Sequence, residues 1–542
     1  MKRIKRYTIP VLGLMALTLV GCSDLDTNPA GSDLTKEQVD EVIAEDASKL
    51  KSEVSGLYAN MIQEGAIRDW YGSVRHYDFG YAAVMMMTDQ SGQDEVSENS
   101  GYNWFRKSLS YQDRTVSDEV GYYLWNHFYN NIRTSNSIIS SISLDEASDV
   151  AKGYVGQAYG MRAFCYLNLI QMFQFTYKGH EDAAGVPIVT EATTAEMTKE
   201  NPRAAVKDVY ALIMSDLDKA ISCLEKYTRG GKNEIDLNVA YGLRARANLL
   251  MQNWSAAYAD AVKAAEGFTP LSIEEAGAPG FNDINANNWI WGCDVSETND
   301  IVQSGIVNFP SMMCSFTGNG YSPMYASRSI NSNLWKEIPT TDVRKGWWFD
   351  EKLSTPIVDP KRVVYVKDEK NGDYVMVLNS SGEEVADIQT PYINAKFGAY
   401  KNDYGNETNA CDIPMMRVEE MILIQAEAKA MSGDVEGGKK ILEDFVKTYR
   451  DPSYSCSASS AEEVQNAVWF QRRIELWGEG FSFLDLLRLK KPLDRTGANY
   501  DKAVTFKLPA ESGYFLWIIP ESETNYNKAC KNNEILGAPQ PQ

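Results

Sequence analysis

Residues 239–266 read VAYGLRARANLLMQNWSAAYADAVKAAE, a pattern typical of two helices joined by a tight turn. Small and apolar residues recur at helical spacing over 239–251 and again over 254–266. Gln252 and Asn253 interrupt the spacing and supply the turn. The segment therefore predicts an antiparallel helical hairpin.

A second segment has the same pattern, with a helix predicted over 415–431, a turn at 432–434 and a return helix to Tyr449. When the two turns are superposed, small residues coincide, for example Ala247 with Ala428. Small residues at matched positions let helices approach closely, as in tetratricopeptide hairpins. The match is degenerate and the copies are not in tandem. Two interpretations therefore stay open, a shared helical repeat and two unrelated alanine-rich helix pairs.

Residues 268–410 differ in character from the helical segments. They are rich in Asn, Gly, Ser, Pro and aromatic residues, and a long irregular insertion in a helical scaffold usually carries function. Alternating runs at 362–366 and 374–378, with a turn at 379–382, predict a β-hairpin. The predicted fold class is mainly α, with a hairpin scaffold, long irregular loops and a few short β-hairpins. Further helices are predicted at 36–63, 117–143, 148–175 and from Pro202 to about Tyr227.

The first residues resemble a bacterial secretion signal. Four positive charges precede a short apolar segment, which ends in Leu19-Val20-Gly21-Cys22. That ending resembles a lipobox, which implies removal of 1–21, lipidation of Cys22 and a tether over 22–35 on a membrane. An ordinary signal peptide followed by a chance cysteine is the alternative.

The net charge and the spacing of histidines and cysteines limit which partners and cofactors the sequence predicts. The formal net charge is −21, and loss of four positive charges with 1–21 would make it −25. A protein with this large negative charge repels the phosphate backbone of nucleic acids, so no nucleic-acid partner is predicted. The three histidines are far apart in sequence and no Cys-x-x-Cys occurs, so we predict no metal site and no cofactor.

Seven blocks follow one another along the chain in an order that is itself informative. They are Arg162–Leu167, Gly185–Val189, Pro202–Val206, Met416–Glu420, Arg472–Phe481, Asp485–Arg488 and Ile519–Glu523. This series resembles the SusD/RagB family of surface nutrient-binding lipoproteins over essentially the whole mature chain. The chain departs from the family pattern at two places, both in scaffold blocks. The link between Phe173 and Gly185 is longer than usual, and a serine stands at 482 where the family commonly has a basic residue. The charged residues Glu475, Glu479, Asp485, Arg472 and Arg488 in these blocks are predicted to form structural ion pairs.

The resemblance implies one domain over 36–542. Its scaffold would occupy 117–267 and 412–490, and its binding face would come from loops at 64–116 and 268–410. It also implies a place at the outer membrane, facing the exterior, and a partner, a SusC-like TonB-dependent barrel transporter that the protein covers as a lid.

Aromatic and amide residues in the two loops are the candidate ligand contacts. Sugars present apolar C–H faces that stack on flat rings and hydroxyls that need amide, carboxylate or guanidinium partners. Gly101 and the polar run before it predict an exposed loop tip, Trp289 and Trp291 would share one face of an extended segment, and a Gly-Asn-Gly turn precedes Tyr321. The predicted contacts are Tyr102, Asn103, Trp104, Asn288, Trp289, Trp291, Tyr321, Tyr325 and Arg328.

The predicted function is non-enzymatic capture of glycans for a transporter. Oligopeptides, as on the RagB side of the family, are the alternative cargo. A glycoside hydrolase is disfavoured because carboxylates are too numerous for one pair to be diagnostic, and no Gly-x-Ser-x-Gly, His-Glu-x-x-His or phosphate-binding glycine loop is present. A helical-repeat scaffold without a small ligand is a further alternative.

Overall fold

The computed structural model describes residues 50–68, 72–145, 147–323 and 326–542. The predictions for Cys22, for the tether at 22–35 and for Tyr325 lie outside these residues. No helix within the described ranges is long and apolar enough to cross a membrane.

Helices dominate the structure, as the sequence predicts. In chain order they are α1 Leu50–Ala59, α2 Tyr81–Ser91, α3 Arg106–Leu109, α4 Glu119–Ser140, α5 Asp149–Phe173, α6 Val206–Leu224, α7 Leu237–Leu250, α8 Trp254–Ala265, α9 Ile273–Ala276, α10 Asp300–Gln303, α11 Phe309–Met313, α12 Ser332–Glu337, α13 Val418–Met431, α14 Val435–Tyr449, α15 Ala461–Glu475, α16 Ser482–Arg488 and α17 Glu521–Tyr526.

Strands are few and short. They are β1 Glu95–Ser97, β2 Trp289–Cys293, β3 Arg328–Ile330, β4 Val363–Val366, β5 Tyr374–Leu378, β6 Glu384–Ile388, β7 Ile413–Arg417, β8 Leu493–Asp494 and β9 Lys507–Leu508. All pairings are antiparallel: β1 with β3, β2 with β7, β4 with β5, β5 with β6, and β8 with β9.

The two predicted helical hairpins are present as α7–α8 and α13–α14. Each buries its small residues, since Ala247 and Ala428 are inaccessible to solvent. In the second hairpin a Cβ on Gly438 would lie 2.5 Å from the Ala426 carbonyl oxygen, so only glycine permits this approach. The predicted helix at 415–431 starts late, at Val418, because 413–417 pair with β2 instead.

The helices pack in chain order, α4 on α5, α5 on α6, α6 on α7 and α7 on α8. The second hairpin continues this array, because α13 packs on α8, α14 and α15. The result is a continuous helical scaffold around which the loops are arranged.

The predicted β-hairpin after 374–378 is confirmed as β5 and β6. Its turn includes Gly382 at φ 81°, and the amide of Asn379 donates to the carbonyl oxygen of Glu383 at 2.8 Å. Strand β4 adds a third member on the other side of β5. This small sheet forms one wall of the cavity described below.

The early segment is anchored to the core rather than lying loosely on it. Residues 82–91 of helix α2 are all buried, and the β1–β3 pairing joins the segment to the middle insertion. Near its end, Asp94 accepts hydrogen bonds from Arg473 at 2.5 to 3.1 Å. Three distant parts of the chain therefore meet at this point.

Eight buried charged groups, which we call the central charge network, join the insertion to the scaffold. Glu475 pairs with Arg450 at 2.8 Å and with Arg417 and Arg344 at 3.1 Å. Burial opposes its charged form, but these arginines, Arg450 foremost, hold the pKa of Glu475 well below its usual value. The predicted ion pairing of Glu475 and Glu479 is confirmed by this network, and that of Asp485 by its separate pairs with Arg472 at 2.6 Å and Arg488 at 2.7 Å. The network comprises Arg344, Lys396, Arg417 and Arg450 with Asp342, Glu419, Glu475 and Glu479.

Candidate ligand-binding site

A large cavity opens between the early segment and the middle insertion. Its volume is about 1060 Å³. Its walls come from the chain around β1 and β3, from β6 and the residues after it, and from short stretches near 320, 406 and 500. We call it the acidic cleft after the carboxylates that line it, which are Glu98, Glu383, Glu384, Asp387, Glu407 and Asp501.

Four rings form an aromatic platform beside this cleft: His76, Tyr102, Trp104 and Tyr321. The His76 ring lies 4.4 Å from that of Trp104 and 5.7 Å from that of Tyr321, measured between centroids. Trp104 and Tyr321 meet edge to face at 6.3 Å. Tyr102 is 53% exposed and close enough for its hydroxyl to act electrostatically on Tyr321.

The platform is electrically neutral and internally hydrogen-bonded. The His76 Nδ1 and the Tyr321 hydroxyl are 2.5 Å apart. Burial lowers the pKa of His76, so the imidazole is uncharged at neutral pH. Burial also raises the pKa of Tyr321, which keeps its hydroxyl protonated. The aromatic platform therefore presents ring faces and one polar pair, His76 with the Tyr321 hydroxyl, and adds no charge to the site.

Platform and cleft share the same two loops. Ser100 and Pro323 line the cleft, and each lies two residues from a platform ring, Tyr102 and Tyr321 respectively. Since two residues span at most about 7 Å of chain, these two platform rings are attached close to the wall of the cleft. Neutral polar groups in the cleft include Asn99, Asn379, Gln389 and Asn499.

The structure brings together three of the predicted contacts, Tyr102, Trp104 and Tyr321. Trp104 and Tyr321 are half-buried, packed on the core from one side. They come from the two loops that the sequence assigns to binding. They stay candidates for ligand contact.

Asn103 has a different place from the one predicted. Its side chain is buried, and Nδ2 donates to Ser97 Oγ at 2.7 Å and to the Glu98 carbonyl oxygen at 3.0 Å. Oδ1 accepts from the Phe105 amide at 3.1 Å. Asn103 therefore holds the loop tip in shape, and the prediction that it contacts ligand is wrong.

The prediction is also wrong for Asn288, Trp289 and Trp291. All three are buried, and Asn288 donates to both oxygens of Glu419 at 3.1 and 3.2 Å. Trp291 donates from Nε1 to the Asn233 carbonyl oxygen at 2.9 Å. Their segment is extended, as expected, but β2 is buried along its whole length, so no face reaches solvent.

Arg328 is buried as well, which excludes it from direct ligand contact. Its Nε lies 3.5 Å from Glu95 Oε1, and its guanidinium stands 5.8 Å from the Phe105 ring centre. Burial lowers its pKa. The prediction fails because β3 turns this side chain towards the core while its neighbours Ser327 and Ser329 line the cleft.

Sequence reasoning missed His76 and the six carboxylates. As a lone histidine His76 gives no signal of its own, but its neighbours Tyr77, Phe79 and Tyr81 mark an aromatic segment. Glu383 and Glu384 follow the Gly382 turn directly, which places them at the start of a strand. No sequence pattern brings the other carboxylates to the same cavity.

Comparisons with known families match most of the chain. Residues 57–249 match a family model described as starch-binding associating with outer membrane. Residues 310–535 match the model of the SusD family. The two matches fall on the two halves of the scaffold and on both loops that line the site.

Individual relatives agree with these matches. The chain is 24% identical to SusD-like protein P2 of Formosa agariphila, over 92% of this chain and 93% of that one. It is 22% identical to SusD-like protein P38 of the same organism, over 71% and 75%. Among solved structures, a SusD-like carbohydrate binding protein of Bacteroides vulgatus superposes with a TM-score of 0.69 at 23% identity, covering 89% of this chain and 97% of that one. At that identity the superposition shows the fold alone.

Proposed function

Because this chain belongs to the SusD/RagB family, we propose that it is a glycan-binding protein whose site is the aromatic platform with the acidic cleft. One observation carries the proposal: half-buried rings from two distant loops meet beside a cavity of about 1060 Å³ that is lined with amides, hydroxyls and carboxylates. The description of the matched family mentions starch, and the name of one solved neighbour mentions carbohydrate binding. Both support the proposal.

The chemistry of the site suits an oligosaccharide. A sugar face that covers about 100 Å² of ring contributes roughly 2.5 kcal/mol through apolar burial. Two or three rings give about 5 to 7 kcal/mol before association costs, and a dissociation constant in the micromolar to millimolar range follows. Carboxylates and amides in the cleft supply partners for the hydroxyls.

We propose the same lipid-anchored, outward-facing position and transporter role that the sequence predicts. The match to a family associated with the outer membrane supports the location. The protein would bind cargo without converting it, and a SusC-like barrel beneath would take the cargo up. Affinity purification from the native membrane tests this partner. Recovery of the protein alone, with no barrel, would contradict the lid role.

The binding site is tested by Trp104→Ala and Tyr321→Ala. Purified protein is titrated by calorimetry with neutral polysaccharides and with mixed oligopeptides. We expect a glycan to bind and each substitution to weaken it about tenfold or more, because each removes a stacking surface.

Tyr526→Ala is the matched control, since Tyr526 is half-exposed but lines neither the cleft nor the platform. Its affinity should equal that of the wild type. Unchanged binding in the Trp104 and Tyr321 variants would sink the assigned site. Binding of oligopeptides with no response to any glycan would replace the glycan by the peptide alternative.

A further inference from the structure

The acidic cleft has no positive charge on its walls. Six carboxylates line it, and no lysine, arginine or histidine is among the described residues that do so. These carboxylates come from four separate parts of the chain, with three of them on or next to β6. Charge of one sign thus accumulates at one cavity.

Most of these groups face solvent. Glu98, Glu383, Glu384, Glu407 and Asp501 are all exposed. Only Asp387 is half-buried, and burial followed by the nearby Glu384 raises its pKa. Since exposed carboxylates ionise well below neutral pH, the cleft is strongly negative under ordinary conditions.

One buried positive charge, that of Arg328, lies in the wall of the cleft but does not reach its surface. Arg328 stands between the two lining residues Ser327 and Ser329, but its guanidinium is fully buried and faces Glu95. Its ion-pair partner among the described residues is Glu95, 3.5 Å away and also buried. Among the described residues that line the cleft, no cation therefore offsets the carboxylates.

Neutral and anionic glycans meet this cleft differently. Carboxylates, amides and hydroxyls all accept hydrogen bonds from sugar hydroxyls, so an uncharged glycan finds partners along the walls. A glycan that carries uronate or sulfate groups brings its own negative charges close to the carboxylates of the cleft. Like charges in a concave site repel strongly at low salt, because low-dielectric walls focus the field.

We infer that the acidic cleft makes this site selective for uncharged glycans and that it rejects glycans bearing carboxylate or sulfate groups. The inference rests on the proposed function, because it names the substrate class of that same site. It extends that function from glycans in general to one chemical class.

Matched ligands test the inference. The probes are neutral polysaccharides (amylopectin, galactomannan, xyloglucan and mixed-linkage β-glucan), each also oxidised at its primary hydroxyls to a carboxylate. The methyl ester of each oxidised form keeps the added atoms without the charge. We expect the oxidised form of any glycan that binds to bind at least tenfold more weakly than its parent, and the ester to recover most of that loss.

Salt and substitution should both close this gap. In 0.5 M NaCl, where the Debye length is only a few ångströms, the difference between parent and oxidised glycan should shrink severalfold. In the variant E383Q/E384Q/E407Q the gap should shrink in the same way, because three charges leave the cleft while the side-chain shapes stay.

A control variant removes three carboxylates elsewhere. Glu225, Glu436 and Glu462 are exposed on the helical scaffold and do not line the cleft. E225Q/E436Q/E462Q should keep the full gap, which separates the local field of the cleft from the net charge of the protein.

The outcomes are distinguishable. If the oxidised glycans bind as tightly as their neutral parents, or if E383Q/E384Q/E407Q leaves the gap unchanged, this inference is overturned and the proposed function stands. If no glycan binds, charged or neutral, both fail.

Discussion

Carboxylates serve two opposite purposes in this protein. In the central charge network, four acidic groups face four basic ones, and every member is buried. In the acidic cleft, six acidic groups face no basic one along its described walls, and most are exposed. The first arrangement is charge-balanced and closed, whereas the second is unbalanced and open to solvent.

The difference shows how position assigns a role to an ordinary residue. A buried charge is stable only when it is paired, so an acidic residue in the core predicts a basic partner and a structural role. An unpaired acidic group at a cavity costs little because water solvates it. It remains available to a ligand.

The largest expected effect is on the network. Glu475→Gln would leave Arg344, Arg417 and Arg450 with one buried negative charge fewer, and removal of one partner from a buried pair costs about 3–5 kcal/mol. Denaturant unfolding measures the loss. Glu383→Gln in the cleft is the matched control, and its free energy of unfolding should stay within about 0.5 kcal/mol of wild type. Equal losses of stability at the two positions would contradict the distinction between structural carboxylates in the network and non-structural ones in the cleft.

Acid should act on the same network less severely. The folded pKa of Glu475 lies below its unfolded value, so its contribution to stability is present above the unfolded pKa and is lost as pH falls through the folded one. A protonated carboxyl still accepts hydrogen bonds, so titration removes less than substitution does. The drop in melting temperature between pH 5 and pH 3 should be smaller in Glu475→Gln than in wild type. A parallel drop in both proteins would contradict this role of Glu475.

Asn103→Ala should have an intermediate effect at the junction of core and site. It leaves the buried Ser97 hydroxyl without its Asn103 donor and frees the Phe105 amide, for a cost of about 1–3 kcal/mol. Ligand affinity should also fall, because the loop tip that carries Trp104 loses its brace. Calorimetry checks affinity and thermal unfolding checks stability. Weaker binding at full stability would instead mean that Asn103 touches ligand directly.

The smallest effect is expected in the cleft itself. Removing two like charges by E383Q/E384Q should leave the free energy of unfolding unchanged or raise it by no more than about 0.5 kcal/mol. Repulsion from the remaining carboxylates is relieved, and no buried partner is abandoned. Thermal unfolding at low and high salt measures this. A clear destabilisation would show that these groups are structural after all.

The scaffold could be predicted from the sequence because its signals are local. Helical spacing, alanine and glycine at matched hairpin positions, and a turn ending in Gly382 each act within a few residues. The family-like blocks added the ion pairs. The start of α13 could not be predicted in this way. The helix begins later than expected, at Val418, because the residues before it pair with the distant strand β2.

The site was predicted only in part because burial is decided far away in sequence. Trp104 and Trp289 each directly follow an asparagine, yet the first is half-buried on a loop and the second is enclosed in β2, which pairs with β7. No local pattern distinguishes them. The acidic cleft likewise depends on segments near 98, 384, 407 and 501, whose meeting is a property of the tertiary fold.

The pairing of β1 with β3 has a consequence for biosynthesis. Residues 95–97 wait for a partner more than 200 positions later, and Arg473, which fixes Asp94, emerges later still. Closing such large loops has an entropic cost that local helices do not have, so the hairpins form early and the site completes late. A chain released before residue 473 would have the helices through α14 but no finished cleft. Under the proposed function, glycan binding would therefore require synthesis at least through Asp501, the last residue in the chain that lines the cleft.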